Sequence, residues 1–142
     1  MEYQNSMKIS FMSKSQNEAF ARVAVAAFVS QLDPTVEEIS EIKTAVSEAV
    51  TNAVIHGYED MEGEIFLSCT IKDNLVEITI SDKGKGIEDV SRAREPLYTS
   101  KPELERSGMG FTVMEAFMDE VEVESVKGTG TTVIMRKRLT SI

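Results

Sequence analysis

Apolar side chains recur every three or four positions in three parts of this chain, which is the spacing of amphipathic helices. The first predicted helix covers residues 17–31 and the last covers residues 110–118. In the first helix, the apolar positions predicted to face the core are Phe20, Val23, Ala24, Ala27 and Phe28.

The second predicted helix runs from Asp33-Pro34 to His56. Asp is a good N-cap, Pro suits the first helical position, and Gly57 provides a C-terminal stop. The apolar stripe predicted for this helix is Ile39, Ile42, Val46, Val50 and Ala53.

Shorter segments with alternating or continuous apolar residues predict five strands. The first, at an edge of the sheet, is residues 7–12; the others are 64–71, 75–81, 121–126 and 132–139. The second and third predicted strands are joined by a tight hairpin turn at 72–74. Helices segregated from a largely antiparallel sheet predict the α+β class, as a two-layer α/β sandwich.

Composition narrows the class of protein further. A chain of 142 residues with 42% hydrophobic and 27% charged residues is expected to form one domain over residues 1–142. A net charge of −9 disfavours broad contact with nucleic acid or an anionic membrane. The single cysteine, Cys69, reads as a small buried strand residue in a reducing compartment. With no signal peptide evident, a cytoplasmic protein is expected.

The polar residues point to a nucleotide. Glu48, Asn52 and His56 are four residues apart and therefore share one helix face. Glycine-rich turns follow at 82–86 and 107–110, and again at residues 128–132, and glycine lets a backbone approach phosphates without an intervening Cβ.

Each part suits a different portion of a magnesium nucleotide. Asp82 offers an acceptor for the exocyclic amine of adenine, and the helix that begins at Gly110 offers backbone donors to phosphates. Asn52 has a hard oxygen suited to Mg²⁺, and Glu48 lies one turn away, placed to orient or deprotonate an attacking hydroxyl. The polar loop at 87–107 is predicted to close as a lid.

The order of these motifs resembles the N-box and glycine boxes of the GHKL family of ATPases and kinases. The resemblance implies a Bergerat ATP-binding fold, with a mixed, mostly antiparallel sheet covered by helices on one face. It also implies that Asn52 is the Mg²⁺ ligand and that Asp82 is the adenine partner. His56 is as consistent with a structural role as with a ligand contact. The further residues implied to bind ATP or ADP are Gly84, Gly86, Thr99, Lys101, Ser107, Gly108, Met109, Gly110 and either Thr131 or Thr132.

Within that family, residues 15–22, 48–58 and 96–111 are similar to bacterial anti-sigma factors that are protein-serine kinases. This similarity implies a homodimer that holds a sporulation sigma factor inactive and phosphorylates a serine of an anti-anti-sigma protein. It further implies Glu48 as general base, Arg106 as a γ-phosphate contact and Arg22 as a partner contact. Lys83 and Lys85 depart from the pattern by making the first glycine turn basic.

Other classes of kinase and ATPase agree less well with the sequence. A histidine autokinase needs a second histidine, but His56 is the only one in the chain, and a gyrase-type enzyme needs a further domain. Neither the eukaryotic kinase motifs nor a Gly-Lys-Ser/Thr phosphate loop is present. Two alternatives stay open: a non-catalytic module that sequesters a sigma factor with ATP as a structural ligand, and a stress-response anti-sigma kinase of the same subfamily.

Overall fold

The computed structural model describes residues 3–57, 62–84 and 110–140. The helices among these residues are α1 (Gln16–Val29), continued by a 3₁₀ turn (Ser30–Leu32), α2 (Val36–Asn52), continued by a π-helical turn (Ala53–Gly57), and α3 (Gly110–Phe117). The strands are β1 (Gln4–Met12), β2 (Glu64–Lys72), β3 (Leu75–Asp82), β4 (Glu120–Val126) and β5 (Gly130–Arg138).

The five strands form one sheet in the order β1-β2-β3-β5-β4. All four pairings among these strands are antiparallel. On β2, β3 and β5 every second side chain is buried, which is the pattern of a sheet with one covered face. The predicted α+β sandwich with helices on one face is confirmed, as is the position of β1 at an edge of the sheet.

Strand and helix side chains meet in a single core on the covered face. From α2 the predicted residues Ile42, Val46, Val50 and Ala53 are buried, and Ile39 is partly buried against them. Cys69 lies in this core as predicted, and its burial raises the pKa of its thiol to about 12.

The face of α1 that was predicted to enter the core is wrong for Phe20, Val23 and Ala27, whereas Phe28 is partly buried against the core. Phe20 and Val23 remain 53% and 58% exposed, whereas Ala21, Val25 and Val29 are fully buried. These three small residues are spaced four apart and let α1 approach the sheet and α2 closely. Phe20 and Val23 are therefore left on the outer flank of α1.

The predicted beginning of α2 is also wrong by two residues. Thr35 is the N-cap, because its hydroxyl accepts a hydrogen bond from the Glu38 N–H at 3.0 Å. In return, the Glu38 carboxylate accepts one from the Thr35 N–H at 2.9 Å, which completes a capping box. Asp33 instead ends the preceding 3₁₀ turn in the left-handed conformation, with φ of 52°.

The other face of the sheet carries charged side chains in a cross-strand network. Arg136 on β5 contacts the carboxylates of Glu77 at 2.8 Å, Glu120 at 2.9 Å and Glu122 at 3.0 Å. Together these carboxylates raise the pKa of Arg136 above its ordinary value. Glu120, Glu122 and also Glu124 are exposed on β4, so this edge of the sheet is strongly acidic.

Candidate nucleotide-binding site

The centre of the candidate site is Asp82, the last residue of β3. Its side chain is buried and accepts hydrogen bonds from the Gly84 N–H at 2.9 Å and from the Thr131 backbone N–H. Burial raises the pKa of this carboxyl, and the two hydrogen bonds partly oppose the increase. A carboxylate has about four lone-pair positions, so two backbone donors leave acceptor capacity for a ligand amine.

The beginning of β5 lies directly against Asp82. A Cβ on Gly130 would lie 2.9 Å from the Lys83 Cα and closer still to the Asp82 carbonyl oxygen, so this close approach requires glycine. Thr131 pairs with Asp82 in the sheet register and is buried on the same face.

Thr132, by contrast, pairs with Ser81 on the opposite face of the sheet. Of the two threonines left open by the sequence, Thr131 is therefore the one that shares a face with Asp82.

Helix α2 brings Glu48 and Asn52 towards the same end of the sheet. Near its first turn, Glu38 accepts a hydrogen bond at 2.8 Å from the N–H of Thr140, two residues after β5 ends. From Glu38 to Asn52 the helix rises about 21 Å at 1.5 Å per residue, which is roughly two thirds of the length of β5. We therefore infer that the C-terminal turn of α2 points towards the end of the sheet that carries Asp82 and Thr131.

A π-helical turn follows Asn52 immediately and contacts β3 and β5. Such turns are frequent at functional positions in helices, and here the turn covers residues 53–57, including His56. Glu48 and Asn52 are both partly exposed, and Glu48 has interactions with neighbouring groups.

Helix α3 is tied to α2 by Lys137 of β5, whose Nζ donates to the Phe117 carbonyl at 2.8 Å and lies 3.4 Å from a Glu41 carboxylate oxygen. The C-terminal end of α3 is thereby held against the first half of α2. The two helices pack together, and the first residue of α3, Gly110, is buried.

Several predicted site residues lie outside the described part of the chain. These are Gly86, Thr99, Lys101, Arg106, Ser107, Gly108 and Met109, together with Lys85 and the whole of the predicted lid at 87–107. The other lysine of the first glycine turn, Lys83, is described, and its amino group lies 5.3 Å from the centre of the Phe66 ring. Phe66 pairs with Ser81 on the open face of the sheet, so Lys83 reaches away from the face of Asp82.

Among residues 3–57, 62–84 and 110–140, no group of three or more histidine, cysteine, aspartate or glutamate side chains could hold a metal ion. The candidate metal ligand is the carboxamide oxygen of Asn52. One such protein ligand fits Mg²⁺ in the usual way for nucleotide enzymes, in which phosphates and waters complete the shell.

A second polar site lies between α1 and α2. Here Arg22 and Lys43 line a groove of about 380 Å³, together with Val36, Ile39, Ser40, Thr44 and Ser47. The Nε atom of Arg22 is shielded from solvent and has no hydrogen-bond partner among the described residues, although Glu18 lies 3.5 Å away. The groove thus presents cationic and hydroxyl groups between apolar walls.

The sequence patterns did not predict one residue that lies near Asp82. Ser125 on β4 pairs with Thr131, and the two hydroxyl oxygens are 2.8 Å apart. The signal that could have revealed it is the strand register, which brings position 125 opposite position 131.

Comparison with known proteins agrees with this geometry. The model of the histidine kinase-like ATPase domain matches residues 12–137. The chain therefore belongs to the family of histidine kinase-like ATPase domains, a family of nucleotide-binding domains.

Individual relatives match nearly the whole chain at high identity. The chain is 62% identical over 140 residues to the anti-sigma F factor of Clostridium kluyveri, covering 99% of each chain. It is 64% identical over 139 residues to the anti-sigma F factor of Clostridium novyi, covering 97% of each chain.

Among solved structures, the fold is similar to the histidine kinase domain of a blue-light activated histidine kinase from Erythrobacter litoralis. That match has a TM-score of 0.57 and 22% identity, and it covers 86% of this chain and 60% of the other. No helix in the described part of the chain is long and apolar enough to cross a membrane.

Proposed function

We propose that this protein is an anti-sigma factor that binds and inhibits the sporulation sigma factor F, and an ATP-dependent protein-serine kinase that phosphorylates and inactivates the anti-anti-sigma protein. The observation that carries the proposal is the buried Asp82 carboxylate, held by two backbone N–H groups and facing the same side of the sheet as Thr131. High identity to anti-sigma F factors along nearly the whole chain supports the client.

In this proposal Asp82 accepts a hydrogen bond from the adenine amine, and Thr131 lies beside it. Asn52 would hold Mg²⁺, which would supply positive charge to stabilise the phosphates in the transition state. The phosphates are contacted by Thr99, Lys101 and the glycine turns, including Gly84, Gly86, Ser107, Gly108, Met109 and Gly110.

Phosphoryl transfer then needs one base and one positively charged contact. The serine hydroxyl oxygen of the substrate attacks the γ-phosphorus, and the bond from that phosphorus to the β–γ bridging oxygen breaks. Its electron pair leaves with ADP, and the hydroxyl proton passes to the Glu48 carboxylate. In this reaction Arg106 contacts the γ-phosphate.

Glu48 extends from a helix whose neighbouring residues Ala49 and Val50 are buried, so the backbone beneath it is fixed. Such fixed placement of the base is what proton transfer requires.

The groove between α1 and α2 supports Arg22 as a partner contact. A shielded guanidinium nitrogen without a hydrogen-bond partner favours a carboxylate, and Lys43 lines the same groove. The apolar walls formed by Val36 and Ile39 suit an amphipathic segment of a protein. We therefore place an acidic side chain of the sigma factor or of the anti-anti-sigma protein in this groove.

A homodimer is supported by the apolar surface along β1 and α1. Strand β1 is an edge of the sheet, so one side of its backbone is unpaired within the described sheet. Beside it, Phe20 and Val23 on α1 are 53% and 58% exposed. Phe20 packs edge-to-face on Phe11, which holds the strand and the helix together as one surface.

We also propose that residues 1–142 act as one domain in the cytoplasm, without direct contact to nucleic acid or membrane.

Two alternatives to the proposed function predict different experimental outcomes. A sequestering module would bind ATP and the sigma factor without phosphoryl transfer, and a stress-response anti-sigma kinase would have the same chemistry with a different client.

The test of the proposed function is transfer of labelled γ-phosphate from Mg-ATP to the anti-anti-sigma protein. Glu48→Gln is expected to lower the transfer rate by at least about 100-fold, since a general base contributes roughly 10²–10⁴, while ATP and sigma-factor binding persist. A substrate with alanine in place of the acceptor serine should take no label. Unchanged transfer by Glu48→Gln would reject Glu48 as the base, and no transfer by a wild-type protein that binds ATP would favour the sequestering module.

A further inference from the structure

Glu18 of α1 and Ser47 of α2 are hydrogen-bonded where the two helices pack together, beside the groove that contains Arg22. The Ser47 hydroxyl donates to one Glu18 carboxylate oxygen, because a carboxylate only accepts. Glu18 lies one turn before Arg22, so the two side chains are neighbours on the same face of α1. The position of the Glu18 carboxylate is therefore set by the neighbouring helix as well as by its own.

The nitrogen atoms of Arg22 differ in their surroundings. Its side chain is 39% exposed, but its Nε is shielded from solvent and has no hydrogen-bond partner among the described residues. The second Glu18 carboxylate oxygen lies 3.5 Å from this Nε. A partner protein can reach the two exposed Nη atoms, whereas the shielded Nε is available to a group of this chain.

Glu18 is the group that can serve this nitrogen. A shielded donor without an acceptor is unfavourable, and a carboxylate has two oxygens, one for Ser47 and one for Arg22. This arrangement holds the guanidinium from its Nε side and leaves the Nη atoms for the groove. Lys43, one turn before Ser47 on α2, lines the same groove and adds a second positive charge.

We propose that Glu18 is a positioning residue for partner binding: held by Ser47, its carboxylate orients the Arg22 guanidinium so that the Nη atoms meet a carboxylate of the partner protein. The proposal rests on the partner contact of Arg22 proposed above and adds the residues that prepare it. A guanidinium that is oriented before binding loses less side-chain entropy when the partner docks. The planar guanidinium also contacts a carboxylate best in a defined orientation.

The test measures binding of wild-type protein and Glu18→Gln to the sigma factor and to the anti-anti-sigma protein with alanine at its acceptor serine, each with Mg-ATP present. Glutamine has one acceptor oxygen, so it cannot accept from Ser47 and Arg22 together. In whichever titration Arg22→Ala lowers the affinity, we expect Glu18→Gln to lower it about two- to tenfold, the cost of immobilising one long side chain on binding. Ser47→Ala should act in the same direction, and Ser47→Thr should retain the wild-type affinity.

A double-mutant cycle separates positioning from a general structural effect. In the Arg22→Ala background there is no guanidinium to orient, so adding Glu18→Gln should leave the affinity unchanged. Glu124→Gln is the matched control, because it removes the same charge from an exposed position on β4 and should bind like the wild type.

Three results would overturn the role of Glu18. Tighter binding by Glu18→Gln would mean that Glu18 competes with the partner for Arg22. An equal loss of affinity with and without Arg22 would indicate a structural effect, and an unchanged affinity would exclude any role in binding. A wild-type protein that bound neither partner would reject the proposed clients themselves, which is distinct from binding that does not depend on Glu18.

Discussion

Replacing Gly130 with alanine is expected to damage both the stability of the protein and its nucleotide site. The new Cβ would lie 2.9 Å from the Lys83 Cα and 3.0 Å from the Asp82 carbonyl carbon, with the carbonyl oxygen closer still. All three are backbone atoms, so no side-chain rotation relieves the overlap. The start of β5 must therefore move away from the end of β3, which stretches the hydrogen bond from Thr131 to the Asp82 carboxylate.

Two free-energy costs determine how much stability Gly130→Ala loses: backbone strain and a weakened hydrogen bond. A non-glycine residue at a φ of +138° costs about 1–3 kcal/mol of backbone strain. Weakening a hydrogen bond to a buried carboxylate costs roughly 1.5–3 kcal/mol. Together they predict a loss of about 2.5–6 kcal/mol, which is a large part of the 5–15 kcal/mol typical of folded domains.

Gly128 in the same turn provides the matched control. Its φ is +82° and a Cβ there would meet nothing within 4 Å, so Gly128→Ala carries the strain without the overlap. Its expected loss is about 1–2 kcal/mol. Urea unfolding measures both losses, and ATP titration of the folded variants should show weakened binding only for Gly130→Ala. Equal stability losses in the two variants, or unaltered ATP affinity in Gly130→Ala, would refute this reasoning.

Two further predictions concern the helical layer. Hydrogen bonds from Thr35 and Thr140 hold the pKa of Glu38 below its ordinary value, so the ionised carboxylate stabilises the fold at neutral pH and this contribution is lost as the pH falls through the lowered pKa. Glu38→Gln should therefore lose about 1 kcal/mol at pH 7 in urea unfolding, with a smaller difference from wild type below about pH 4; a difference independent of pH would contradict this. In the groove, Arg22→Ala should weaken binding of the sigma factor or of the anti-anti-sigma protein at least about tenfold in direct titrations with each. Lys8→Ala, which removes a cation from the open face of the sheet, should not, and equal effects of the two would reject the groove.

The sequence predicted the secondary structure well where one pattern dominated. The stripe of α2 and the alternation in β2, β3 and β5 each leave a single face that can be buried. The turn at Asp73 was evident because the polar residues there interrupt two apolar runs. In such segments, periodicity alone determines which side chains enter the core.

Prediction failed where two patterns competed. Helix α1 is apolar on more than one side, so spacing could not distinguish the face of Ala21, Val25 and Val29 from that of Phe20 and Val23. At the start of α2, Asp33-Pro34 and the Thr35-x-x-Glu38 capping box were both plausible signals. The capping box prevails because it satisfies two backbone groups reciprocally.

The residues of the candidate site also fall into two groups: those that local motifs predict and those that depend on the pairing of distant strands. Glu48, Asn52 and Asp82 were proposed from local motifs, because helix spacing and a strand-ending turn are properties of neighbouring residues. The choice of Thr131 over Thr132 needed the register between β3 and β5. Ser125 was missed for the same reason, since the pairing that brings it to Thr131 is not encoded in either segment alone.

The two edges of the sheet differ in a way that limits assembly. Along β4, Glu120, Glu122 and Glu124 would face like charges in any strand that added there in the same manner, so this edge resists growth. The free edge of β1, from Gln4 to Met12, carries the single charge of Lys8. Two copies that joined through β1 about a two-fold axis, as proposed above, would each use the one permissive edge of the described sheet, and the outer edges of the joined sheet would then both be acidic. Association through the sheet is therefore self-limiting: it closes at two copies and does not extend into a fibre.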